Sequence, residues 1–156
     1  MVAILIIGAT FFMASAYKYI RHPTEIPVEL CSLSSAPHGI QSQPHDGVGI
    51  SFICTYPWQK GMFIKIRLPM VKPAFEAIVE IVWVRQRYSY YEVGVRFLSE
   101  EEAFQGRMCE QMCRIEIYRQ KQAGEGRKLS ADDAAMEWIN RYAEQFFYRE
   151  QIRYQA

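Results

Sequence analysis

The chain has 156 residues, half of them hydrophobic and 14% aromatic, with 18 Lys and Arg against 17 Asp and Glu. That apolar content excludes a disordered tail and suffices for one domain with an appendage. The formal net charge of +1 gives no general electrostatic reason to expect DNA or RNA as a partner. A local basic cluster still suits a small anion.

Residues 1–16 form an apolar N-terminal segment, and from Val2 to Tyr17 there is no charged residue. The stretch is shorter than the roughly 20 apolar residues of a membrane-spanning helix. It also lacks the positive flank of a secretory signal. Three readings are open: a short membrane anchor, a hydrophobic helix packed on the domain or on a partner, or a true start at Met13. The start at Met13 is preferred, because MASAYKYIRHP reads as an ordinary soluble lead-in. Membrane contact is then expected only if residues 1–16 are a real anchor, and the expected location is the cytoplasm. The alternative is an inner-membrane anchored protein facing the cytoplasm.

Residues 17–98 read as strands and turns. Glu25 to Leu33 is a short extended run whose Pro27 suits a strand start or edge. Ser34 to Asp46 is a polar loop. Val48 to Thr55 is a second strand, and Pro57 to Gly61 a turn. Met62, Ile64, Ile66 and Leu68 then alternate with Phe63, Lys65 and Arg67, the period of a half-buried strand. Phe75 to Arg87 is a longer strand, with Phe75, Ala77, Val79, Ile81 and Trp83 expected on one face, in the core. Tyr91, Val93, Val95 and Phe97 repeat the alternation. Short strands at this spacing predict a mainly β fold, a small antiparallel barrel.

Residues 99–156 change period. Ser99 and Glu102 form a capping box, with acidic residues in the first turn. Phe104, Met108, Met112 and Ile115 follow at helical spacing, and the Met and Cys stripe is expected to pack. Gly124 and Gly126 end this helix. A second helix starts at Ser130, with Ala135, Trp138, Ile139, Tyr142 and Phe146 as its apolar stripe, continued by Phe147, Tyr148 and Tyr154. So much aromatic surface predicts either cover for one side of the barrel or a contact with a protein partner or a second copy.

The four cysteines, Cys31, Cys54, Cys109 and Cys113, form no C-x-x-C pair; Cys109 and Cys113 share one face of a helix, and His22, His38 and His45 lie far from that pair in sequence. They read as small apolar residues of a reduced protein, with no metal expected. No set of nucleophile, base and orienter is present, and no P-loop, so no enzyme is expected.

Several pieces line up in order: Ile20-Arg21-His22-Pro23 before the first strand, Gly49-Ile50-Ser51-Phe52 after the polar loop, the Gly61 turn, Ile81-Val82-Trp83-Val84, and Gly94-Val95-Arg96-Phe97. Between Tyr17 and Leu98 this set resembles the PilZ domain, and the two helices resemble the helical extension of one PilZ subgroup. The resemblance implies a receptor for cyclic di-GMP. The family reads it with an R-x-x-x-R element and a D/N-x-S-x-x-G element. Arginine forks pair with phosphates and guanine edges, and glycine permits close approach. Carried over, these elements place ligand contacts at Arg21, Lys18, Asp46 and Gly49, with His22 beside them. Tyr17 stands where the first arginine would be, Pro44 where the acidic residue would be, and Asp46 at the serine position. One missing bidentate contact costs about 1.5–3 kcal/mol, a ten- to hundredfold loss. The expected function is a cyclic di-GMP-binding effector with a weakened site. The alternative is a PilZ-like adaptor that acts by protein contact alone.

Overall fold

The computed structural model describes residues 19–33 and 49–153. The elements in chain order are β1 (Tyr19–Arg21), β2 (Glu29–Ser32), β3 (Gly49–Cys54), β4 (Phe63–Leu68), β5 (Phe75–Gln86), β6 (Tyr91–Phe97), α1 (Glu100–Gly124) and α2 (Ala131–Arg153). The strands form one sheet in the order β1-β3-β6-β5-β4-β2. Strand β1 pairs with β3 in parallel, and the other pairings are antiparallel.

The expected strands and the two helices are present, but the expected closed antiparallel barrel is not. Among the described residues the sheet is open and mixed, with β1 and β2 at its two edges. The physical reason lies in what covers its apolar face. Ile50, Phe52, Ile64, Ile66, Val79, Ile81, Val93, Val95 and Phe97 form one core on that face. Ala103 of α1 joins the same core. A helix thus does part of the covering that closure of the sheet would otherwise do.

A second, smaller cluster binds the helices to the edge strand. Ile20 of β1 packs against Tyr118 of α1 and Ala134 and Trp138 of α2. Both helices begin on a serine cap. Ser99 Oγ accepts from the Glu102 backbone N–H at 3.2 Å, and Ser130 Oγ accepts from that of Asp133 at 3.1 Å. Each cap satisfies one otherwise orphaned donor and is worth about 1 kcal/mol. Tyr118 donates to Glu137 at 2.7 Å, and Arg127 pairs with the same carboxylate at 2.7 Å, clasping the two helices together.

The face of α1 that packs is not the one its large apolar residues mark. Ala103, Gly106, Cys109 and Cys113 are buried, whereas Phe104, Met108 and Met112 are exposed. Small residues let the helix sit close to the sheet. A Cβ on Gly106 would lie 2.3 Å from the Phe97 ring. The cysteine half of the expected stripe packs and the methionine half faces out. On α2, Trp138 is buried as expected and Ile139 is exposed. The expected continuation through Phe146, Phe147, Tyr148 and Tyr154 lies outside the described side chains. All four cysteines are free thiols. No helix among the described residues is long and apolar enough to cross a membrane.

Candidate functional site

The face of the sheet opposite α1 is polar over most of its area. Lys65, Arg67, Glu76 and Glu29 form an exposed ion-pair chain, and Arg96 pairs with Glu80 at 2.6 Å. Near the β1 edge the character changes, because of one irregularity in β5. The pairing of β5 with β6 slips between Ile81 and Trp83, so Ile81 faces Val95 while Trp83 faces Gly94. A bulge inserts one residue and reverses which face the next side chain takes. Ile81 stays in the core. Trp83 turns to the opposite face, which corrects the expectation that it shares the core with Ile81.

On that face the indole lies directly over Gly94. A Cβ there would sit 2.1 Å from the Trp83 ring. Tyr19 meets the indole edge-on, with ring centroids 5.6 Å apart, and the Arg85 guanidinium stands 5.0 Å from its centroid. Beside it is a shallow hollow lined by Arg21, Ser51, Ile53, Trp83 and Glu92. Its empty space, open mouth included, is about 230 Å³. Only about 20 Å³ of it is enclosed, close to the room one water needs, so it is a dent in an open surface and not a cleft of the roughly 300–1,000 Å³ that takes a whole drug-sized ligand.

The electrostatics are mixed. Glu92 lies 3.9 Å from Arg21 and 3.3 Å from Arg87, and its side chain is largely covered. It therefore places a carboxylate between two guanidinium groups. A carboxylate accepts well from the two adjacent donors of a guanine edge, and the guanidinium groups suit phosphate oxygens. The backbone beneath is fixed from the helix side, where Arg114 donates to the Arg21 carbonyl at 2.6 Å.

The sequence-predicted residues divide as follows. Arg21 ends β1 and borders the hollow. Gly49 opens β3, and its missing Cβ makes room for the Tyr19 ring and the Val95 carbonyl, each 2.5 Å from where a Cβ would stand. That room serves packing rather than a ligand. His22 is on the other face, buried against Phe52, with ring centroids 5.4 Å apart. Its Nδ1 is 2.7 Å from Glu110 Oε1, and its Nε2 donates to the Ile26 carbonyl at 2.9 Å. It faces away from the hollow. Strand alternation explains this: Arg21 and His22 are neighbours and must point to opposite faces. Lys18 and Asp46, with Pro44, His38, His45 and the segment 1–16, lie outside the described residues.

Sequence reasoning missed Ser51 and Glu92 as members of this site, and it took Arg85, with Arg87 and the nearby tyrosines, for a hairpin tip rather than a binding patch. The one available signal was the register of Glu92, two residues before the Gly94 that the indole covers. No family model, no curated protein and no solved structure matches the chain.

Proposed function

We propose that the chain is a non-enzymatic signalling module of PilZ type that binds cyclic di-GMP on the outer sheet face and acts in the cytoplasm. One observation carries the reading: Trp83 is turned out of the core and presents its indole on the outer face, where the Arg85 guanidinium covers the ring. A guanine base stacks there once that guanidinium swings off the ring toward a phosphate, and base–aromatic stacking contributes about 1–3 kcal/mol. Glu92 then reads the guanine edge, and Arg21 and Arg85 meet phosphate oxygens. The hollow encloses only about 20 Å³, so the bases lie on the open sheet face rather than inside it. The ordered sequence elements that resemble PilZ support the same ligand.

The test is calorimetric titration of the full chain with cyclic di-GMP, with GMP and cyclic di-AMP as comparisons. Binding in the micromolar range, weakened at least tenfold by Arg21→Ala and by Trp83→Leu, is the expected result. Absence of heat and of thermal stabilisation at high micromolar ligand overturns it.

A second reading is an adaptor that works by protein contact alone. It is favoured by the exposed row Phe104, Met108 and Met112 on α1, spaced one helical turn apart.

A further inference from the structure

The buried side of β1 holds a cluster that the proposed ligand face does not use. His22 comes from just after β1, and Glu110 and Cys113 come from successive turns of α1. All three are buried, and their donor atoms lie within 4.8 Å of one another. Glu110 is 0% exposed, and its Oε2 has no hydrogen-bond partner. A buried carboxylate oxygen with no donor is costly and calls for an explanation.

We propose that His22, Glu110 and Cys113 form a binding site for a divalent transition-metal ion of the zinc class. Imidazole nitrogen, carboxylate oxygen and thiolate sulfur are the three donors zinc takes, at about 2.0–2.3 Å. The second shell is already in place. The His22 Nε2–H is held by the Ile26 carbonyl at 2.9 Å, which fixes the ring and presents Nδ1 to Glu110 and the cluster. Metal-ligating histidines are oriented in this way. Glu110 can supply both oxygens, so its orphaned Oε2 becomes the fourth donor and the site closes without water.

Charge and protons balance. A divalent cation with one carboxylate and one thiolate is neutral, which is what a dry site between sheet and helix demands. The ion replaces the proton that bridges His22 Nδ1 and Glu110 Oε1, and it displaces the Cys113 thiol proton. Two protons leave to solvent for each ion bound. Without the ion, burial and the nearby Glu110 carboxylate push the Cys113 thiol up to about 12. Opening the 2.7 Å His22–Glu110 contact to the roughly 3.3 Å between tetrahedral ligands is a shift of less than a side-chain rotamer. The site would join β1 to α1 across 88 residues of sequence.

The experiment is titration of the full chain with Co²⁺ as a spectroscopic stand-in, followed by displacement with Zn²⁺. One equivalent of Co²⁺ should produce thiolate-to-metal charge-transfer absorption, and Zn²⁺ should abolish it and raise the thermal midpoint. Cys113→Ser should lose the absorption, and Glu110→Gln should weaken binding at least tenfold. Cys109→Ser, one position away from Glu110 but outside the cluster, should keep both signals. Absence of charge-transfer absorption and of any Zn²⁺-dependent thermal shift in the unaltered chain overturns the proposal, whether or not the variants fold. So does absorption that survives Cys113→Ser.

Discussion

Gly94→Ala should destabilise the protein by about 2 kcal/mol, although alanine is the better strand residue. The added Cβ would stand 2.1 Å from Trp83 Cε2 and Nε1, so the indole has to leave. Overpacking of this kind costs about 1–3 kcal/mol. Loss of the Tyr19 edge contact and the Arg85 cation–π contact adds about 0.5–1 kcal/mol each. Relief of the strand penalty of glycine returns about 0.5–1 kcal/mol. For a chain of 156 residues, 2 kcal/mol lowers the thermal midpoint by about 4–8 °C. The assay is urea unfolding followed by tryptophan emission. Trp58 and Trp138 are buried, so a red shift in the folded variant reports Trp83. In a Trp83→Leu background the same substitution should cost under about 0.5 kcal/mol, a coupling of at least 1 kcal/mol. A Gly94→Ala protein as stable as the parent, with unchanged emission, refutes the account of this face.

Two further outcomes are expected. Met108→Gln with Met112→Gln removes exposed apolar surface, so it should change stability by no more than about 0.5 kcal/mol. If the adaptor reading holds, it should also abolish any concentration-dependent association seen by light scattering; association left intact excludes this row as the contact. The Glu137 carboxyl is held below its usual range by the Arg127 guanidinium and then by the Tyr118 hydroxyl. A depressed folded value means its stabilising contribution is present above the usual carboxylate range and is lost as pH falls through the folded value. Urea midpoints from neutral pH to about pH 3 should therefore fall less steeply in Glu137→Gln. Identical slopes would show that the clasp between α1 and α2 carries no charge-dependent stability.

The sequence made the antiparallel part of the sheet legible, because alternation in β4 and β6 and the turns between strands are local signals. It made both helix starts legible through Ser99 and Ser130. It hid β1, which is three residues long and pairs in parallel, where no hairpin turn announces a partner. The packed face of α1 was hidden for a different reason: Ala103, Gly106 and Cys113 bury well because they are small, and hydrophobic size pointed to the other side. The bulge after Ile81 depends on register with β6 and leaves no local mark, so Trp83 read as core. His22 read as a neighbour of the ligand contacts because the partner that buries it, Glu110, is 88 positions away.

Strand β1 belongs to the sheet by hydrogen bonding and to the helices by its side chains. Ile20 is held by α1 and α2, His22 by Glu110 and the Arg21 carbonyl by Arg114. A force applied to the chain ahead of Tyr19 would therefore load the helical layer, about a hundred residues downstream, along with the neighbouring strand. The four strands beyond β3, antiparallel to one another and to it, stand outside that path. The short edge strand works as a tie bar between the sheet and the C-terminal helices.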